Sequence, residues 1–596
     1  MRFPRVSWVA WVAWALISGQ LAVRAVLAFS GYFYWDDLIL IGRAGTHGLL
    51  SPSYLFDDHD GHVMPGAYLV AGAITRLAPL NWVGPAVSLV VLQLLASLAL
   101  LRALWVILGW RPVLLVPLAF ALFCPLGLPA FAWWAAALNS LPMLAALAWV
   151  CADGILLQRT GAHRYAVTGT LAYLGGLLFF EKAAVIPFVA FTVAALLRHV
   201  QAGPARARAT AAVWRAGVRL WTPLLALTAG WVVLYLVVVN QRRWSFDLTM
   251  TRDLLWRSVT RGIVPALAGG PWDWARWAPA SPWATPGPAV TALGWLVLAG
   301  LLALSLLRKH RTGPVWLVAV GYAAACQVPI YLMRSSAFTA LELAQTLRYL
   351  ADFVVVLALL GAVGLCAPNR GSTRWLDASA PRTAAAAVLA VAFTASSLYS
   401  TTTFALSWRD NPARAYLENA RRSLAGARTG SDAPLLDQEV DPLVLQRVAW
   451  PENLASHMFA LLRDRPEFDS ATSQLRMLDS AGRLTDAKVT WVRTIVAGPV
   501  PRCGYLIQPE LPARLVLSGP LLPADWTAEI NYLANVDGAM TLSLPDGRAA
   551  RVRVRPGLNR TYVRLPGAGD AITARADTAA LSVCIAAGPV GYVAPR

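Results

Sequence analysis

Two adjacent carboxylates, Asp36 and Asp37, follow Tyr32-Phe33-Tyr34-Trp35 directly after the first apolar run of the chain. Acids walled by four aromatics are partly desolvated, which raises a carboxylate pKa toward the range in which it serves as a general base. The competing reading is a pair of solvated charges at a helix end beside an aromatic belt. Further on, Asp57-Asp58-His59-Asp60-Gly61-His62 offers carboxylate and imidazole ligands for a divalent cation, with Asp58, Asp60 and His62 the candidate set. Its spacing matches neither an EF-hand nor a zinc motif, so a solvated loop is the alternative. A divalent cation is the one cofactor the residue types suggest.

Other charged and aromatic residues sit where they need a reason. Glu181-Lys182 occupies a very short turn between two apolar runs, where charge is costly unless paired or functional. Arg334 and Glu342 precede a later run that opens with Arg348-Tyr349. Arg348 and Asp352 are i,i+4 neighbours, so a local ion pair is the default. The functional alternative is that the Arg348 guanidinium binds phosphate oxygens bidentately. Trp133-Trp134 with Asn139 and Pro142 suits the floor of a sugar site, or an interface anchor. The 241–288 loop carries Arg242, Arg243, Arg252, Arg257, Arg261 and Arg276 among several Trp, as an anionic ligand or a headgroup-binding helix would require. The sequence contains no Gly-rich phosphate loop, HExxH or CxxC, which argues against a nucleotide-driven pump or a zinc enzyme.

The elements that must hold these residues are apolar. Of 596 residues 57% are hydrophobic and 14% charged, against about 25% charged in soluble domains, which excludes an ordinary cytosolic enzyme and a disordered scaffold. Eleven apolar runs of transmembrane length fall near 7–28, 82–108, 112–131, 134–157, 165–180, 183–200, 220–240, 289–307, 313–333, 347–366 and 382–403. The first follows Arg2 and Arg5, and Arg24 interrupts it, so a retained anchor is expected rather than a cleaved signal peptide. The net charge of +19 does not point to nucleic acid, because residues 1–403 hold 29 Lys+Arg against 13 Asp+Glu and residues 404–596 hold 22 against 19. With the N-terminus in the cytoplasm, Arg111, Arg159, Arg164, Arg308, Lys309, Arg311, Arg370 and Arg374 all fall in inner turns, the positive-inside pattern. Only Asp153 and Asp377 then lie inside. The expectation is a multi-pass plasma-membrane protein whose first loop, 29–81, and whose tail face outward. The stretch Met64–Leu77 is read as a helix lying along the interface.

After the last span the tail divides into a surface helix over Ser407–Arg428, ending near Gly426 and Gly430, within a mixed α/β region to residue 500, and a β-sandwich over 501–596. Strands are expected at Arg514–Leu517, Thr527–Tyr532, Met540–Leu544, Ala550–Val554, Thr561–Leu565 and Leu581–Ile585. Cys503 and Cys584 bracket the sandwich on the oxidising side and are expected to form a disulfide. Carbohydrate binding by the sandwich is an expectation by analogy alone.

An acid pair just after the first span, a long first outer loop with an interfacial helix, many spans and a soluble outer C-terminal region together resemble the GT-C superfamily of membrane glycosyltransferases. Gly61-His62-x-x-Pro65 and Phe180-Glu181-Lys182 are similar to segments of multispanning GT-C proteins from high-GC bacteria. The resemblance covers roughly residues 1–403. It implies a polytopic α-helical membrane fold and transfer of a hexose or pentose from a polyprenyl-phosphate donor to an envelope glycan, lipid or protein acceptor. It further implies Asp36 or Asp37 as general base, with His62, Glu181, Lys182, Arg348, Tyr349, Trp133 and Asn139 around the substrates. Two readings compete: a non-catalytic membrane scaffold, and a lipid-linked sugar transporter with a glycan-binding outer domain. The spans are nearly acid-free in their middles, which disfavours the transporter.

Overall fold

A computed structural model describes residues 7–202, 206–239, 246–336, 338–370, 379–428 and 433–596. Arg2, Arg5, Arg242, Arg243, Arg374, Asp377 and Gly430 lie outside the described residues. The chain divides into two compact units, one of residues 1–40 and 47–411, the other of residues 41–46 and 412–596.

The first unit is helical and spans a membrane. All eleven apolar runs are helical, but they are not equal. Nine helices among the described residues are long and apolar enough to cross a bilayer, from Trp8–Ser30 to Ala387–Arg409. The run at 112–131 is instead a broken pair, Pro112–Phe123 and Pro125–Ala132, bent by 42°. Pro125 explains the break, since its ring removes a backbone donor and clashes with the preceding turn. The run at 165–180 forms Arg164–Phe179, only 16 residues, about 24 Å at 1.5 Å per residue and short of a full hydrocarbon core. The expected count of eleven full spans therefore becomes nine, or ten if the bent pair is one span.

Packing sorts these helices into a centre and a rim. The apolar window of Trp134–Thr160 is 72% buried within the protein and that of Arg348–Leu365 67%, whereas Pro288–Arg308 is 11% buried and presents its leucines outward. Trp134–Thr160 packs on Val83–Leu108 and Arg164–Phe179, with Ala and Gly at the contacts, such as Gly169 against Leu220 and Asp153. Asp153 is fully buried but paired with Arg102 and hydrogen-bonded by Thr168 Oγ1 at 2.7 Å, so the charge is compensated.

Between the first two long helices lies the expected long loop. It holds a helix starting at Asp36 (Asp36–Thr46), a tight turn at 59–62, and Pro65–Leu77, which matches the short helix expected there. Pro65 opens that helix, where its missing N–H costs nothing.

The last span runs on to Arg409, past the expected end near 403, and the following helix is Pro412–Ala427. In the second unit one antiparallel sheet runs in the order Ala550–Val554, Gly538–Ser543, Gly557–Ala576, Ala513–Ala534, Pro589–Pro595, Leu484–Thr494, Arg476–Leu478. The strands expected separately at Arg514–Leu517 and Thr527–Tyr532 are one 22-residue strand, whose buried face shifts by one residue at Leu522-Pro523 without ending the strand. Its long partner shifts register between Gly567 and Ala571, where glycine tolerates the bulge. Leu484–Thr494 pairs with Pro589–Pro595, so the sheet crosses the division expected at residue 500. Alternating inward residues, among them Leu517, Trp526, Ile530, Val563 and Ile572, form one buried cluster. Cys503 and Cys584 are disulfide-bonded. The bond joins the turn before Tyr505–Ile507 to its pairing partner Val583–Ile585.

Candidate active site

The helix Asp36–Thr46 begins with the acid pair, and its opening geometry gives the two carboxyls different surroundings. Trp35 has a positive φ of 43°, which turns the chain sharply before the helix starts. Asp37 is wholly buried, and its carboxyl closes that turn: Oδ2 accepts Tyr34 N–H at 2.9 Å, while Oδ1 accepts Ala135 N–H at 2.8 Å. Ala135 lies in the first turn of Trp134–Thr160, so Asp37 pins the loop to the central helix. Burial pushes its carboxyl well above the usual range, against the two backbone donors.

Asp36 is placed for chemistry instead. Its side chain keeps 29% exposure, and Oδ1 lies 3.8 Å from His59 Nε2. Burial pushes its pKa up to about 6, against the pull of Arg348 first and then of His62. A carboxylate there is mostly ionised at neutral pH, yet its proton affinity is far above that of an ordinary aspartate, as a general base requires.

The 59–62 turn presents the neighbours. His59 and His62 exchange backbone hydrogen bonds at 3.1 and 3.0 Å, with Asp60 at φ 52° and Gly61 at φ 85° between them. Two consecutive positive φ values define a tight hairpin turn that Gly enters freely and Asp tolerates. Tyr235 donates to Gly61 O at 3.0 Å and Gly61 N donates to Asp58 Oδ1 at 2.8 Å, fixing the turn. His62 Nδ1 lies 2.8 Å from Glu181 Oε1. Burial opposes protonation of His62, but the Glu181 carboxylate outweighs it and raises the imidazole pKa. Arg334 Nη2 donates to Asp60 Oδ2 at 3.1 Å.

Arg348 approaches from another side. Its guanidinium lies 4.9 Å from the Trp133 ring and 4.9 Å from the Tyr349 ring, and Nη2 donates to Tyr349 Oη at 2.7 Å. Trp133 in turn stacks edgewise on Tyr34 at 5.0 Å. The Arg334 guanidinium carbon lies 5.9 Å from the centre of the Tyr349 ring. Two guanidiniums held by aromatics and a shared tyrosine therefore flank the region of Asp36, and neither spends its charge on the Asp36 carboxylate in a direct ion pair.

Several sequence expectations change. Arg348 and Asp352 do not pair. Asp352 accepts Lys182 Nζ at 2.8 Å and Tyr322 Oη at 2.6 Å, so the helix-neighbour attraction loses to two buried partners and Arg348 is left for the site. Lys182 is consequently engaged away from Asp36, also donating to Tyr349 O at 3.1 Å. Asp58, Asp60 and His62 are not gathered as metal ligands, each having a different partner, and among the described residues no group of three His, Cys, Asp or Glu is placed to hold a metal ion. Asn139 Oδ1 is buried without a hydrogen-bond partner among the described residues. The four described arginines of the 241–288 loop have partners within the chain: Arg252 on Asp253, Arg257 on Gln345 and Glu342, Arg261 on Pro286 O, and Arg276 on Ala280 O and Ser407 O. The anchoring role of Asp37 was invisible in sequence, since it depends on Ala135 N, 98 residues away.

No protein-family model and no curated protein matches the chain. Among solved structures it is similar to ArnT from Cupriavidus metallidurans in the apo state, at 13% identity and a TM-score of 0.42, over 77% of this chain and 85% of that one. It is also similar to the Archaeoglobus fulgidus oligosaccharyltransferase in a complex with Zn and sulfate, at 12% identity and a TM-score of 0.36 over 70% of this chain. A third likeness is to AglB of the same archaeon with an inhibitory peptide and a dolichol-phosphate, at 11% identity and a TM-score of 0.35 over 71% of this chain. The chain spans 55% and 59% of the length of those two oligosaccharyltransferases. These are loose likenesses of chain path.

Proposed function

We propose that this chain is a membrane glycosyltransferase of the GT-C kind, moving a hexosyl or pentosyl group from a polyprenyl-phosphate donor to an envelope glycan, lipid or protein acceptor. The observation that carries the reading is the pairing of a part-exposed carboxylate of raised proton affinity, Asp36, with two arginines, Arg334 and Arg348, that are held beside it without neutralising it. Asp36 takes the proton from the acceptor hydroxyl as that oxygen bonds to the anomeric carbon. The bond from the anomeric carbon to the phosphate oxygen breaks, and the polyprenyl phosphate departs with its electron pair. The guanidiniums of Arg348 and Arg334 stabilise the charge that grows on the leaving phosphate. Asp37 is the anchor that holds the loop, not the base. No nucleotide is needed, because the lipid-linked donor carries its own activation.

With the bent pair at 112–131 and the short helix Arg164–Phe179 both crossing, the arginine distribution supports a cytoplasmic N-terminus, with the 31–82 loop and the C-terminal unit outside, where lipid-linked sugars and envelope acceptors meet. In the C-terminal unit a groove of about 490 Å³ lined by Arg447, Trp450, Asp525, Asp546 and Arg548 supports glycan binding, since a half-exposed indole and bidentate charged groups suit a sugar face and its hydroxyls. The test is reconstitution of the full chain in liposomes with a panel of polyprenyl-phosphate-linked hexoses and pentoses and an envelope extract as acceptor. Release of polyprenyl phosphate with transfer of labelled sugar is expected for at least one donor. Folded protein that releases none from any donor would overturn the reading.

A further inference from the structure

The helix Trp8–Ser30 carries an arginine that the proposed transfer does not use. Arg24 lies six residues before the end of that span, about 9 Å down the helix, and is 5% exposed. A guanidinium keeps its proton in essentially any protein setting, so this is a positive charge inside the transmembrane unit. Such a charge is normally balanced by a carboxylate. Among the described residues Arg24 makes no ion pair, and its Nη1 has no hydrogen-bond partner. The Phe131 ring, 4.8 Å from the guanidinium carbon, supplies a cation–π contact that offsets only part of the cost.

The surroundings are arranged as donors. Gln93 Nε2 donates to Ser97 Oγ at 3.2 Å, and Ser97 Oγ donates to Gln20 Oε1 at 3.4 Å. The chain ends at Gln20, 2% exposed, whose Nε2 has no acceptor among the described residues. Ser140, 9% exposed, brings a hydroxyl from the central helix that has no partner among the described residues either. All these groups, with Arg24, line one cavity of about 40 Å³ that no carboxylate enters. The side chains come from three different spans, Trp8–Ser30, Val83–Leu108 and Trp134–Thr160, so the clustering is tertiary and not an accident of one helix face.

We propose that this cavity is a binding site for a single halide-sized anion, with chloride the natural occupant. Charge, donor set and size all point the same way. A water molecule would satisfy the donors but leave the charge uncompensated and would need acceptors for its own protons. At roughly 10–15 Å³ per small occupant the volume admits an ion or two or three waters. It does not admit a tetrahedral phosphate carrying a lipid chain, which separates this site from the proposed donor site at Arg334 and Arg348. The inference does not depend on the transferase reading.

The test is thermal unfolding of the full chain in detergent, with sodium chloride or bromide titrated against sodium gluconate at constant ionic strength. The expected result is a rise of the melting midpoint by several degrees that saturates with chloride or bromide and that sulfate does not reproduce. Arg24→Met removes the charge and should make the midpoint indifferent to the anion. Should Arg24→Met not fold, Gln20→Leu and Ser140→Ala each remove one donor, and each should raise the half-saturating chloride concentration roughly tenfold or more. An anion-independent midpoint in the wild type, equal effects of sulfate and chloride, or an unchanged chloride response in these variants would overturn the proposal and leave a hydrated arginine.

Discussion

Replacing Asp36 with asparagine should make the protein more stable at neutral pH, even though it removes the proposed base. In the folded chain burial raises the Asp36 pKa from 3.8 to about 6. A carboxyl whose folded pKa is raised holds its proton more tightly when folded, so it favours folding below its ordinary pKa. That contribution is lost as pH rises from about 4 through about 6. At 1.36 kcal/mol per pH unit, the ionised Asp36 then costs the folded state at most about 3 kcal/mol, and its 29% exposure trims the figure through solvent screening. Asparagine has the same shape and no charge, so it escapes the cost. The stability difference between Asp36→Asn and wild type should therefore be near zero at about pH 4 and grow to roughly 1–3 kcal/mol by neutral pH. Thermal unfolding of both proteins in the same detergent across that range measures it. An Asp36→Asn variant less stable than wild type at neutral pH, or a difference that ignores pH, would refute the reasoning, because Asp36 would then be a structural carboxylate.

Asp37 should behave in the opposite way. Asp37→Ala orphans the buried N–H groups of Tyr34 and Ala135, at about 1–3 kcal/mol each, and Asp37→Asn should cost roughly half as much because one oxygen survives; melting midpoints unchanged from wild type would contradict the anchoring role. Arg348→Ala removes a charge-assisted phosphate contact of roughly 1.5–3 kcal/mol, so the donor KM should rise by one to two orders of magnitude, and an unaltered KM would remove Arg348 from the donor site. Reporter fusions at Gly161, in the turn after Trp134–Thr160, and at Pro595 should report opposite compartments, and the same compartment for both would sink the proposed orientation.

The membrane fold was legible because spans are written in composition: each of the eleven apolar runs is helical. What the runs did not reveal is length in space, since Pro125 breaks one of them and Arg164–Phe179 stops after 16 residues. The acid pair and the 57–62 cluster were legible as candidates, because charge beside aromatic residues in a hydrophobic chain is conspicuous. Their division of labour was not. Asp37 is an anchor only because Ala135 N lies within 2.8 Å, and Asp60 is a partner of Arg334 across 274 residues. The i,i+4 rule misread Arg348 and Asp352, because local spacing says nothing of Lys182 and Tyr322 arriving from other helices. In the C-terminal unit the alternation of buried residues was readable. The gap between the strands expected at Arg514–Leu517 and Thr527–Tyr532 was not, since it is the interior of one long strand.

The central claim is that Asp36 removes the acceptor proton during glycosyl transfer from a polyprenyl-phosphate donor. Its most direct test is the single-turnover transfer rate of Asp36→Asn beside wild type, with donor binding measured on the same preparations. The account predicts a rate lower by about 10²–10⁴-fold with donor affinity nearly unchanged, since asparagine keeps the shape and loses only the proton acceptor. A correctly folded Asp36→Asn protein that transfers sugar at the wild-type rate would contradict it.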